Sequence, residues 1–316
     1  MFADKRDEES GVELFVGLSQ RADVSRIIPL LFTDGTFGKN GILEINGRFG
    51  SGKSILLLEI VTRCILDVEF GGCGAEVVFF DILNQMNIHR LGNLLQFRIR
   101  EKTQNPSSIE KVLFQSLSRL KIKRAYSTAL LFVELYRLEQ SLNRGERTAL
   151  ICMDNITAFY WLARHQSPAS PPNHNQFFLK LAAVISRISR QSGIPFIVTR
   201  QILFREQGAY WANKDGGSGR AQPPSWGTWR NNRSDFMGKT WSKVPTIRMT
   251  IQKVPKVLDL FEINVKFGTS TTSVFMQAHS ECTTFSDNAQ SADEEVSGAA
   301  LAENFTDNLL DTPVYS

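Results

Sequence analysis

The sequence has no apolar run long enough to cross a bilayer as a helix. Its apolar runs, such as Ile55 to Leu58 or Val77 to Phe80, fall far short of the roughly 18 to 20 residues a span requires. The first ten residues, MFADKRDEES, carry charges of both signs with no apolar stretch behind them. No secretory signal is read there, and an intracellular chain with no membrane partner is expected. Four cysteines, Cys64, Cys73, Cys152 and Cys282, never occur at the two-residue spacing that clasps zinc or forms a redox pair. They read as reduced thiols, mostly core. The four histidines are equally scattered, so a metal site built from protein ligands alone is not expected. No internal repeat at a period of about 20 to 50 residues is visible, which excludes a solenoid. The last deficit is local: residues 281 to 316 hold eight acids and not one Lys or Arg. Without them, 36 basic residues face 24 acids, so a chain of net charge +4 carries a body of +12. The Ser/Ala/Asn-rich acidic segment 281–316 reads as a disordered, solvating tail, and the basic body invites polyanions.

What is present is the composition of a folded protein, with 316 residues, 42% hydrophobic and 22% charged. Residues 1–40 form a short lead-in, amphipathic at Val12, Leu14, Phe15 and Leu18, closed by the Pro29, Gly35 and Gly38 break. From Gly41, strand-length apolar segments alternate with helical ones. Strands are expected at Ile42 to Ile45, Glu76 to Asp81, Leu120 to Arg124, Ala149 to Asp154 and Pro195 to Thr199. Helices are expected at Lys53 to about Leu66, Ile88 to Arg100, Ser107 to Leu117, Ser127 to Leu142 and Asn175 to Gln191. That alternation predicts an α/β fold, a mostly parallel sheet with helices on both faces. Ile247, Met249 and Ile251, then Phe261, Ile263, Val265 and Phe267, alternate across Pro255 and predict an antiparallel C-terminal extension. The core is expected to span residues 41–280, interrupted by irregular segments at 164–174 and 204–243.

Gly47 to Ser54, GRFGSGKS, follows a strand and opens a helix, matching G-x-x-x-x-G-K-[ST] in the context that gives the match meaning. The backbone of Gly47, Arg48, Phe49, Gly50, Ser51 and Gly52 would fold round phosphate with its N–H groups inward. Lys53 would reach the terminal phosphates, and Ser54 would hold Mg²⁺. A second metal contact should come from a strand that ends in an acid; Asp154 is the first candidate and Asp81 its competitor. Asn213-Lys214-Asp215 lacks the spacer of a guanine reader, which disfavours GTP and leaves ATP. About 100 residues separate Lys53 from Asp154. This suits ATPases with an extra strand between the two motif strands.

The order of phosphate loop, strand ending in Asp81, strand ending in Asp154 and strand running into Thr199-Arg200-Gln201 resembles the RecA-like recombinase family. ESGVELF at Glu9 to Phe15, TRCIL at Thr62 to Leu66, DNITAFYW at Asp154 to Trp161 and GKTW at Gly238 to Trp241 resemble its paralogue branch, over about residues 9 to 280. The resemblance implies a RecA-like P-loop ATPase core using ATP and Mg²⁺, and a nuclear role in double-strand break repair by homologous recombination. It implies other recombinase paralogues as partners in a hetero-oligomer, and single-stranded or branched DNA as ligand. Lys53, Asp154 and Gln201 take the catalytic positions, Gln201 matching the family's γ-phosphate sensor. Two departures follow. Leu83 stands where hydrolysing members carry a water-activating glutamate, and no Phe-x-x-Ala self-assembly motif occurs in residues 1–46, so unaided filaments are not expected.

Between Arg205 and Lys243, seven basic residues face three acids, and four of the five tryptophans fall in the same stretch. Cations that track a backbone and indoles that stack on bases make single-strand contacts, with Trp211, Trp226, Trp229, Arg230 and Arg233 as candidates. Such residues also anchor protein interfaces, and Trp241, close to a strand, reads as core. The expected function is an ATP-binding accessory subunit with weak or no hydrolysis. The alternatives are an active DNA-dependent ATPase that remodels filaments and a scaffold with a vestigial site.

Overall fold

The computed structural model describes residues 27–32, 37, 40–159, 172–202, 238–255 and 257–287. In chain order the elements are β1 (Ile42–Gly47), α1 (Lys53–Ile65), β2 (Val77–Asp81), α2 (Ile88–Arg100), α3 (Pro106–Ser118), β3 (Leu120–Arg124) and α4 (Thr128–Asn143). They continue as β4 (Leu150–Asp154), α5 (Pro172–Ser192), β5 (Phe196–Gln201), the short helix α6 (Gly238–Trp241), β6 (Ile247–Lys253), β7 (Leu260–Phe267), β8 (Ser270–Ala278) and β9 (Thr283–Ser286). Local chemistry sets several helix starts. The side chains of Asn87, Asn105 and Ser127 accept from the Arg90, Ser107 and Leu130 amides, and Pro106 occupies the first turn of α3, where no N–H is needed.

The nine strands form one sheet in the order β3-β2-β4-β5-β1-β6-β7-β8-β9. Strands β3 through β6 pair in parallel, and β6 to β9 pair antiparallel. The α/β expectation and its antiparallel extension are therefore both seen. Alternation along each strand divides the core between two faces. Leu43, Ile45, Val77, Phe79 and Cys152 pack with α1 and α2, while Ile42, Val78, Phe80, Ile151 and Val198 pack with α4 and α5.

Two boundaries differ from expectation. The sheet runs past residue 280, because the short strand β9, TTFS, pairs with β8, burying Thr283 and packing Phe285 against the core. Ile27, Ile28, Leu31, Phe32 and Phe37, at the end of the expected lead-in, are buried in the α1 face of the core. Segment 164–171 and residues 288–316 of the expected tail lie outside the described residues. So do residues 203–237, whereas residues 238–241 of the expected irregular loop are helical.

Candidate nucleotide-binding site

Strand β1 ends at Gly47 between β5 and β6, and the space there admits only a glycine. A Cβ on Gly47 would lie 2.3 Å from Ser51 Oγ and 2.5 Å from the Ile251 carbonyl oxygen. At the other end of the loop, Gly52 has φ +86°, and a Cβ would meet the Phe261 ring at 2.9 Å. Arg48, Phe49 and Gly50 are exposed at the tip. Lys53 Nζ bends back into the loop, donating to the carbonyls of Arg48 at 2.6 Å and Gly47 at 3.2 Å and to Ser51 Oγ at 3.4 Å. Burial lowers its pKa to about 8, against the opposing charge of Asp154.

Ser54 Oγ donates to Asp154 Oδ2 at 3.0 Å, across 100 residues of sequence. The other oxygen of Asp154 accepts from Thr199 Oγ1 at 2.6 Å, and Thr199 Oγ1 accepts from the Asn155 amide at 2.7 Å. Burial raises the Asp154 pKa, and the hydrogen bonds from Thr199 and Ser54 oppose the rise. Asn155 adopts a positive φ of 61°, and its Oδ1 accepts from both the amide and the hydroxyl of Thr157. Thr157 Oγ1 then accepts from the Gln201 amide at 3.3 Å. Asp154 and Gln201 are thus joined through three side chains.

Gln201 stands opposite Gly47 in the β1–β5 ladder, and the Ile202 amide donates to the Gly47 carbonyl at 2.9 Å. Asp81 stands opposite Asp154, but it has a different role. It is 2% exposed, and its two carboxylate oxygens accept the Gln85 and Met86 amides at 2.9 and 3.1 Å. It shapes a loop, and Asp154 is the acid that meets Ser54. Leu83 is 42% exposed. Trp211, Trp226, Trp229, Arg230 and Arg233 lie outside the described residues.

Sequence reasoning missed a buried polar group beneath the phosphate loop. Glu44 is fully buried on β1, pairs with Arg200 at 2.9 Å and accepts Trp241 Nε1 at 2.6 Å. Trp241 is itself core, as expected, with 1% exposure. An acid in an apolar strand was the only available signal.

The residues fit a magnesium nucleotide. The loop is closed to any Cβ at Gly47, a cation lies in its mouth, and a hydroxyl–carboxylate pair supplies the hard oxygen donors that Mg²⁺ takes. The phosphate loop on β1, its partner acid on β4 and the Gln201 strand between them define a RecA-like core.

No family model matches the chain. It is 28% identical over 207 residues to the DNA repair protein XRCC2 of Mus musculus, covering 65% of this chain and 72% of that protein. Identity is 23% over 207 residues to a DNA repair protein XRCC2 homolog of Arabidopsis thaliana, 55% of each chain. With the DNA repair and recombination protein RadA of Methanoculleus marisnigri it is 28% over 152 residues, 45% of each. Together with the fold, these similarities support a RecA-like recombinase paralogue close to the XRCC2 proteins.

Proposed function

We propose that this chain is an ATP-binding accessory subunit in DNA double-strand break repair by homologous recombination, acting in the nucleus with other recombinase paralogues. The observation that carries the nucleotide part is the Ser54–Asp154 hydrogen bond beside Lys53, at the end of a glycine-closed loop. The repair role rests on the resemblance to proteins named for DNA repair and recombination.

In this reading, backbone amides from Gly47 to Ser54 bind the phosphates and the Lys53 ammonium pairs with the terminal ones. Ser54 and Asp154 hold Mg²⁺, which neutralises phosphate charge. Thr199 fixes the orientation of Asp154, and Gln201 faces the phosphate loop from the neighbouring strand. Hydrolysis is slow because Leu83 offers no carboxylate and both oxygens of Asp81 are held by backbone amides. Trp211, Trp226, Trp229, Arg230 and Arg233 contact single-stranded or branched DNA.

Equilibrium dialysis with MgATP tests the reading. The full chain should bind nucleotide, Lys53→Ala should abolish binding, and turnover with single-stranded DNA should be slow. Brisk turnover that Lys53→Ala removes would replace this reading with an active ATPase. No binding at millimolar MgATP would leave a scaffold. Affinity capture of the tagged chain from nuclei should recover recombinase paralogues.

A further inference from the structure

Helices α2 and α3 leave a groove of about 510 Å³ between them, walled by Gln96, Arg100, Ile109, Glu110, Leu113 and Phe114. Part of it is apolar. Ile109 and Leu113 pack against the core without being fully covered, and Phe114 is 63% exposed. Three exposed cations, Arg100, Lys102 and Lys111, lie on the walls or next to them in sequence. A groove of this size suits an amphipathic segment that inserts apolar side chains spaced by three or four residues. The described chain ends near the α2 side of this groove. Phe285 on β9 lies 5.4 Å from the Arg63 guanidinium, and Arg63 shares Glu59 with Arg98 of α2. Cys282, just before β9, is close enough to Arg98 and Glu101 for their charges to act on its thiol, and Glu101 directly follows Arg100.

Beyond Asp287 the sequence continues for 29 residues. Among them Leu301, Phe305 and Leu309 recur at every fourth position, while Glu303, Asp307 and Asp311 are offset by two, onto the opposite side of a helical period. Neither Gly nor Pro interrupts 299–312. We infer that segment 301–310 docks in the α2–α3 groove of its own chain, with Phe305 as the central anchor and Leu301 and Leu309 beside it. The connection from Asp287 to Leu301 reaches about 45 Å at full extension. Tethering makes the contact intramolecular, at an effective concentration on the order of millimolar, so a weak fit suffices. Charge favours this occupant: 288–316 carries acids and no Lys or Arg, and it meets the cations of α2 and α3. The lead-in also starts nearby, since Arg63 donates to the Ile27 carbonyl, but Gly11 and Gly17 interrupt its apolar stretch and its charges are of both signs. Docking would cover the exposed Phe114 and bring the acidic segment onto the basic body.

Hydrogen exchange of the full chain, read by mass spectrometry, tests the inference without nucleotide. Peptides spanning 299–311 should exchange at least about tenfold more slowly than an unstructured chain. Phe305→Asp should remove that protection and speed exchange in α3, and Phe114→Asp should do the same from the groove side. Phe15→Asp in the lead-in should change neither. A labelled peptide of residues 299–312 should bind the full chain carrying Phe305→Asp, and adding Phe114→Asp should weaken that binding at least about tenfold. Because Phe114 is largely exposed, the melting temperatures of these variants should agree. Exchange of 299–311 at the unstructured rate in the parent overturns the inference, as does protection that survives Phe305→Asp. Loss of α3 protection with Phe15→Asp would assign the groove to the lead-in. Protection that disappears on dilution, together with a dimer by light scattering, would assign it to a second copy; either result overturns docking by the chain's own tail.

Discussion

Thr199 and Asp154, 45 residues apart and on adjacent strands, share a 2.6 Å hydrogen bond in which the hydroxyl donates to Oδ1 while accepting from the Asn155 amide. One buried hydroxyl therefore sets both the direction of the carboxylate and the backbone turn that follows it. Thr199→Val keeps the shape and removes both bonds, leaving a buried amide and a buried carboxylate oxygen without partners. The expected loss of stability is about 1–3 kcal/mol in urea titration. MgATP affinity should fall further than the affinity for metal-free ATP, and Thr199→Ser should restore most of both.

Lys53 gives the site a pH dependence with a definite sign. In the free protein, burial holds the ammonium pKa at about 8. Bound phosphates favour the charged form, so above pH 8 binding must take up a proton, and affinity falls as pH rises. The fall should approach about tenfold per pH unit beyond that value. Titration calorimetry between pH 7 and pH 9.5, in buffers of differing ionisation enthalpy, would show the proton uptake. Lys53→Arg stays charged across this range, and its weaker binding should be nearly flat with pH. Stability of the nucleotide-free chain moves the other way. The unfolded lysine binds more protons than the folded one between pH 8 and about 10.5, so this group favours folding as pH rises through that window.

Trp241 is expected to matter to the phosphate loop without touching it. Its indole N–H donates to Glu44, which also pairs with Arg200, the residue before Gln201. Trp241→Phe keeps most of the packing and deprives a buried carboxylate of a donor, a cost of about 1–3 kcal/mol by chemical denaturation. If β1 and β5 shift in response, nucleotide affinity should fall with it; if packing alone changes, affinity should hold while stability drops.

Trp226→Ala and Trp229→Ala should each weaken single-stranded oligonucleotide binding by about 1–3 kcal/mol, measured by fluorescence anisotropy at fixed salt. Unchanged affinity with weakened capture of a paralogue would assign these indoles to a protein interface.

Much of the fold could be read from local pattern. The strand expected at Leu120 to Arg124 and the helix expected at Ile88 to Arg100 are found with those bounds, because apolar periodicity and punctuation by Gly, Asn and Pro are local signals. Strand β9 had no such signal; TTFS is four residues long with one apolar side chain, and its strand form rests on pairing with β8. The phosphate loop was legible because its chemistry is contiguous. The bonds of Thr199 to Asp154 and of Thr157 to the Gln201 amide were not, since those partners are 45 and 44 residues away. Glu44 was hidden for a similar reason: its ion-pair partner Arg200 and its hydrogen-bond donor Trp241 come from β5 and α6.

The placement of β1 between β5 and β6 governs when the phosphate loop can first take its shape. Every strand partner of β1 lies far downstream, with Ile42 paired to Phe196 and Leu43 to Ile247, and the Ile251 carbonyl closes the space at Gly47. Long-range pairings of this kind form late, because a large loop must close before any contact repays the entropy. During synthesis the phosphate loop therefore emerges early and waits, unformed, for about two hundred more residues. A chain interrupted before Ile251 would carry the whole GRFGSGKS string and still lack the cradle. Nucleotide capture would then mark a finished molecule, and premature termination anywhere upstream of β6 would remove it.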